Sequence, residues 1–439
     1  MSPRPVIVDS PHENVDPSMR AAILILAVMT SAALVNSACR RAAEPQATAT
    51  QPDQALTETS KKQLQNIGYL EYVPDDDDDD RRGVTIHDAD RMHAGYTLYG
   101  VHSKCRADLI DAAGRVAHAW SLPGRHWANC EIQPNGDLLL VGADTTHSAG
   151  TIIDPKDSFL MRLNWQGEVV FKHRLPAHHD VEITPRGQYV TLNRGYRLIP
   201  KFDAEIQVKD NALVLLSADL ETASELSMFD AMSAAGFALQ AVDPKNAPAS
   251  RHFDLFHANS VEWMHQEHLF DRDPIYGPDN VLVSIRHQDA AAIFNWRSKK
   301  LVWSWGPGEI SGPHDATVLE NGNILLYDNG LGRDWSRVIE LDPLKKKIVW
   351  QYKAATPSDF YSRSRGSNQR LPNGNTLITE SDRGRIFEVT RNGAIVWEFI
   401  TPHADHRDRR ATIVRSRRYE TRFIDPLRER FAVQPEEQS

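Results

Sequence analysis

The stretch Gly393-Ala394-Ile395-Val396-Trp397 decides the fold, because the chain writes it repeatedly. A glycine or polar turn opens the pattern, an apolar alternation follows, and Trp usually closes it. Further copies are Gly114-Arg-Val-Ala-His-Ala-Trp120, Gly167-Glu-Val-Val-Phe-Lys-His173, Lys299-Lys-Leu-Val-Trp303-Ser-Trp305 and Lys346-Lys-Ile-Val-Trp350, with a weaker one at Leu220–Leu226. Self-similarity of this kind marks a repeat architecture.

A second pattern follows each of the first five copies. It is a polar residue, a short apolar strand, a tight turn and another apolar strand. The copies are His126…Pro134-Asn-Gly136…Val141, His179…Pro185-Arg-Gly187…Leu192, His257…Trp263 continued at Asn280…Ile285, His314…Glu320-Asn-Gly322…Tyr327, and Ser367…Pro372-Asn-Gly374…Ile378. Asn-Gly between alternating apolar runs is a strong hairpin signal. Each unit supplies about four short strands in roughly 50 residues, a propeller blade period. The expectation is an all-β, six-bladed β-propeller over residues 84–425, with a tail at 426–439. One short helix is expected at Met228–Ala235. A four-stranded sheet cannot bury both faces alone, so blades pack around an axis, and the repeat Trp residues read as inter-blade packing.

The composition suits a soluble globular protein, and the net charge of −9 excludes a general nucleic-acid binder. Arg20 precedes a mostly apolar run, Ala21–Val35, of signal-peptide length, and Met19 is an alternative start. Residues 1–38 therefore read as an export signal. Val35-Asn-Ser-Ala-Cys39 resembles a lipoprotein cleavage site, which would tether a periplasmic protein to the membrane through lipidated Cys39. Residues 39–83, ending just after the run Asp75–Asp80, read as a solvated acidic linker. Cys105 and Cys130 remain, as a disulfide or as two buried thiols. Arg407–Arg422 reads as a solvated basic face.

Residues at matching repeat positions converge at a propeller's centre. Here that position carries His126, His179, His257, His314 and Ser367. Arg286 ends a strand in the third of these hairpins, and its fixed fork of donors suits an oxyanion. Asp180 and Asp315 follow their histidines directly, and neighbouring carboxylates or main-chain groups are expected to fix tautomers. His102, His147, His173, His265 and His268 have no repeat partners and read as ordinary residues.

The strings Phe256-His-Ala-Asn-Ser-Val261, Ser284-Ile-Arg-His287, Pro313-His-Asp-Ala-Thr317, Glu320-Asn-Gly-Asn323, Asp328-Asn-Gly330 and Gln369-Arg-Leu-Pro-Asn-Gly-Asn375 resemble bacterial arylsulfate sulfotransferases. The resemblance covers about residues 84–425. It implies an exported six-bladed propeller that moves a sulfuryl group from an aryl sulfate to a phenol, with no nucleotide donor and no cofactor. It implies that His314 is the sulfurylated histidine and that His179, His257 and Arg286 complete the catalytic set. Asn259 and His126 are expected to contact substrate. Two departures bear on the substrate: Glu267–Asp279 lengthens the interval between His257 and Arg286, and the extra N-terminal β-domain of the best-known members is not evident. Rival readings are a zinc or copper site on the histidines, a quinone-dependent propeller enzyme, and a non-catalytic binding platform.

Overall fold

The computed structural model describes residues 80–101, 104–122, 126–144, 154–202, 205, 207–221, 223–240, 253–404 and 408–432. The export signal, Cys39, His102, His147 and most of the acidic linker lie outside them.

The strands run β1 (Gly83–His87), β2 (Tyr96–Val101), β3 (Arg106–Ile110), β4 (Val116–Ser121), β5 (His126–Ile132), β6 (Leu138–Ala143), β7 (Ser158–Leu163) and β8 (Val169–Arg174). They continue with β9 (Ala177–Ile183), β10 (Tyr189–Arg197), β11 (Val208–Leu216), β12 (Ala223–Ser227), helix α1 (Met228–Ala234), β13 (Phe253–Asp254), β14 (Ala258–Trp263), β15 (Asn280–Ile285), β16 (Ala290–Asn295) and β17 (Lys300–Trp305). The last are β18 (His314–Val318), β19 (Ile324–Asp328), β20 (Arg337–Asp342), β21 (Lys347–Tyr352), β22 (Ser367–Arg370), β23 (Thr376–Glu380), β24 (Arg385–Val389), β25 (Ile395–Ile400), β26 (Ile413–Tyr419) and helix α2 (Thr421–Ala432).

They form six sheets, antiparallel but for β13, which pairs parallel with β11: β26-β2-β3-β4, β5 to β8, β9 to β12 with β13, β14 to β17, β18 to β21, and β22 to β25 with β1 on the outer edge. This is the expected six-bladed β-propeller. The Gly-x-x-x-Trp copies lie on the outermost strands, except that β1 lies outside β25 in the last blade, and the His-to-Gly hairpins lie on the innermost pairs. The Asn-Gly turns behave as read: Gly136, Gly322 and Gly374 all take positive φ.

Four repeat Trp residues do more than fill space. The indole N–H of Trp120 donates to the Asn164 carbonyl, Trp303 to Pro343, Trp350 to Arg391 and Trp397 to Ala112. Each acceptor lies in the outer turn of the next blade. The two copies that end in His173 and Leu226 lack this bond because they lack the indole.

The C-terminus departs from expectation. Arg407–Arg422 is not a solvated face: its centre forms β26, the innermost strand of the first blade, so both chain ends close the ring. Arg418 is 4% exposed and lies between Glu388 and the β2 hydroxyl of Thr97. Helix α2 runs across the expected 425/426 boundary and packs Ile424 and Leu427 into the core beside β5–β7. The Cys105–Cys130 bridge is not formed, and both side chains remain thiols. Cys130 Sγ stands over Gly100 of β2, while Cys105 sits in the β2–β3 turn at φ 47°. Both pack against one apolar cluster. Burial pushes the Cys130 thiol up to about 12. Among the described residues no helix is long and apolar enough to cross a membrane.

Candidate active site

All six inner strands run the same way, so their N-terminal ends meet at one mouth of the channel. There the backbone is kinked. His179 (φ 64°), His257 (φ 47°) and Asp315 (φ 51°) are left-handed, and β9, β14 and β18 each carry a register shift at that point. A bulge re-aims side chains that a regular strand would send into the blade interfaces.

Just below the bulges a belt of hydrogen bonds joins the blades. Asp180 accepts from Val261 N–H, Ser260 from Ala316 N–H, Asp315 from Asn368 N–H, and Ser367 from Ser416 N–H. Asn129 donates to Asp180 at 2.6 Å. Arg415 of β26 reaches both carboxylates, 3.2 Å from Asp180 and 3.4 Å from Asp315. Asp180 and Asp315 thus hold the ring together and pair with Arg415. Of the two kinds of neighbour expected to fix a tautomer, a main-chain group, the Gly312 carbonyl, is the one that meets the His314 ring. Ser367 belongs to the same belt.

Other groups fix the tautomers. Asn329 donates its amide N–H bonds to the carbonyls of Ser362 and Arg365, which turns its Oδ1 toward His314. His314 Nδ1 lies 2.8 Å from that oxygen and 3.0 Å from Gly312 O. Both neighbours are acceptors, so Nδ1 carries the hydrogen and Nε2 carries the lone pair. His314 is 4% exposed, and its Nε2 has no hydrogen-bond partner among the described residues. Burial, with help from Arg286 and Arg415, pushes the imidazole down to about 3, which keeps it neutral.

The same logic orients His179. Asn211 Oδ1 accepts from Ala258 N–H, so its amide nitrogen donates to His178 Nε2 at 2.7 Å. His178 must then carry its hydrogen on Nδ1 and donate it to His179 Nδ1. That leaves His179 with Nε2–H, a neutral donor. Burial, then His178 and His257, holds His179 well below the ordinary histidine range. The His179 and His257 rings are 5.3 Å apart. His257 Nδ1 donates to Asp254 Oδ2 at 2.8 Å.

Arg286 opens the turn after β15, is 7% exposed and donates to His287 Nε2 at 2.9 Å. Asp289, at the end of that turn, accepts from Gly312 N–H at 2.7 Å, which ties the Arg286 turn to the His314 loop. Asn259 is occupied: it donates to Pro313 O at 2.9 Å and accepts from Ser284 Oγ at 2.6 Å. It therefore supports the His314 loop. His126 lies on β5 near Arg365 and Arg194, and burial pushes it down to about 3. The long Glu267–Asp279 segment lies at the opposite mouth, where Tyr276, Arg272 and His268 bond the carbonyls of Gly322, Asn321 and Glu320. It does not cover the histidines.

Asp254, His257 and His287 place three ligand atoms within 4.8 Å of one another, a spacing that could hold a metal. The Lys209 ammonium, however, is 3.0 Å from Asp254 Oδ2, and the Arg286 guanidinium contacts His287. Two cations at the cluster oppose a third. Sequence reasoning missed Asp254, Lys209, His178, Asn211 and Asn329. Two of them had a signal: Asn329 inside Asp328-Asn-Gly330, and His178 beside His179 in Ala177-His-His179-Asp180.

The arylsulfotransferase (ASST) family profile matches residues 152–402, a span that holds His179, His257, Arg286 and His314. No curated relative matches the chain. Among solved structures it is similar to a protein of unknown function from Bacteroides caccae, at 12% identity and TM-score 0.46, covering 70% of this chain and 94% of that one. It is similar to a catalytically inactive virginiamycin B lyase from Staphylococcus aureus with quinupristin, at 12% identity and TM-score 0.42, covering 73% and 89%. It is also similar to apo AztD from Citrobacter koseri, at 10% identity and TM-score 0.38, covering 73% and 98%. Likenesses this distant carry no argument about chemistry. The family profile does, and since it spans over half of the sequence, the chain belongs to the arylsulfotransferase (ASST) family.

Proposed function

We propose that this chain transfers a sulfuryl group from an aryl sulfate to a phenolic acceptor by a ping-pong route through a sulfohistidine at His314. The observation that carries this reading is the bare, buried Nε2 of His314, set among donors. An aryl sulfate bears one negative charge on three oxygens, and a loose transition state spreads it. Positioned donors are then the main requirement, which Arg286 and His179 Nε2–H meet.

In the first step His314 Nε2 bonds to sulfur as the bond from sulfur to the aryl oxygen breaks. The leaving oxygen takes a proton from His257. In the second step the acceptor oxygen bonds to sulfur, the S–N bond breaks, and the acceptor's proton returns to His257. No nucleotide enters. Burial holds free His257 well below the usual histidine range. An anionic ester bound beside it favours its protonated form, so donor binding loads the acid.

The test is release of 4-nitrophenol from 4-nitrophenyl sulfate with and without added phenol. Acceptor-dependent release is expected, together with an acid-labile label on the protein. His314→Ala removes both, with a rate loss of about 10³-fold or more. Full transfer by that variant removes the assignment, and acceptor-independent release to water makes the chain a sulfatase.

A further inference from the structure

Behind His257 stands a charged group that the transfer reaction as written does not use. After α1 the chain returns as the two-residue strand β13, which runs parallel to β11 with Val208 opposite Phe253 and Lys209 opposite Asp254. This is the one parallel pairing among the described strands, and it inserts Asp254 between the third and fourth blades. Asp254 Oδ2 accepts from Lys209 Nζ at 3.0 Å and from His257 Nδ1 at 2.8 Å. Its backbone carbonyl accepts from His287 Nδ1 at 3.1 Å. The side chains of Asp254, His257 and Lys209 are 16%, 15% and 19% exposed, so solvent screens them little.

We propose that Asp254 is a positioning residue that makes His257 the proton carrier of the site. The proposal rests on the transfer reading above. Asp254 fixes the hydrogen of His257 on Nδ1, so that the reacting proton enters and leaves at Nε2 alone. Its carboxylate stabilises the imidazolium that exists before the first step and again after the second, as a carboxylate behind a catalytic histidine does elsewhere. Lys209 keeps that carboxylate charged. Although burial works against the charge, Lys209, His287 and His257 together hold the Asp254 carboxyl well below its usual range. His287, held by the Asp254 carbonyl on one side and Arg286 on the other, ties the proton carrier to the oxyanion donor.

The role predicts a dependence on the leaving group. A nitrophenolate departs with little need of a proton, whereas the anion of an unactivated phenol, pKa about 10, needs one. In the full chain, Asp254→Asn is expected to slow transfer from phenyl sulfate roughly 100-fold or more. The loss with 4-nitrophenyl sulfate is expected to stay below about 10-fold, with KM little changed for either donor. Nitrogen-15 imidazole spectra give a readout independent of activity: His257 carries its hydrogen on Nδ1 in the parent and loses that preference in Asp254→Asn. Should that variant not fold, Asp254→Ser carries the same comparison. Equal losses with both donors, or an unchanged His257 tautomer, overturn the proposal. A parent chain inactive on every aryl sulfate overturns the transfer reading instead, and the spectra still decide whether Asp254 fixes His257.

Discussion

At the scale of single residues, the site is a set of hydrogen-bond inventories that close. Asn329 has two donors and one acceptor site in use, and only one orientation satisfies all three. That orientation leaves His314 Nε2 bare. Asn329→Asp keeps the acceptor and adds a negative charge. A carboxylate beside an imidazole favours its protonated form, so the His314 pKa rises from about 3. Protonation removes the nucleophile. The acid limb of the kcat profile is therefore expected to move up by about one pH unit or more, with a far smaller change above neutrality. An acid limb at the same pH in parent and variant would show that Asn329 does not tune His314. His179, His257, Arg286 and His314 were legible in the sequence because three occupy equivalent repeat positions and the fourth closes a repeat strand. Their partners were not. Asp254 arrives on an inserted strand, and Asn211 and Lys209 sit on β11, a strand that carries no chemistry in the other blades.

At the scale of elements, the outer strands explain why the repeat ends in Trp. Trp397 is fully buried and donates to Ala112 O at 2.8 Å across the junction that closes the ring. Phe in its place keeps most of the apolar burial and loses the bond. Trp397→Phe is expected to cost about 1 kcal/mol, and Trp397→Ala about 3–5 kcal/mol. Urea unfolding of both variants measures this, and equal losses would mean that the hydrogen bond contributes most of the Trp effect. The alternation and the tight turns marked six outer strands and five inner hairpins in advance. β26 was hidden because Arg415-Ser416-Arg417-Arg418 looks like a surface charge run. Its charges are consumed by Asp180, Asp315, Glu131 and Glu388, which belong to blades far away in sequence.

At the scale of the whole molecule, Arg415 divides the channel between two chemistries. Histidines and Arg286 occupy one end. At the other, a cavity of about 690 Å³ is lined by Glu131, Glu182, Glu262 and Arg417. Glu131 pairs with Arg417 at 2.9 Å, but Glu182 and Glu262 face each other's charge at the next blade interface. Glu182 accepts from Trp263 N–H, and Glu262 accepts from Val318 N–H. Burial and then Glu262 raise Glu182 well above the ordinary carboxyl range, and burial pushes Glu262 up to about 7. Between about pH 4.5 and 7, therefore, the folded chain holds protons here that the unfolded chain has released. That stability is fully present below the unfolded value and is lost as pH rises through the folded one. Glu182→Gln keeps an acceptor for Trp263 and removes the more strongly raised carboxyl, so only the burial-driven rise of Glu262 remains. The melting temperature of Glu182→Gln relative to the parent is expected to climb between pH 5 and pH 8, by about 2 °C or more. The same offset at both pH values would mean that the two carboxyls do not share this burden and that the far mouth of the channel is open enough to hydrate them.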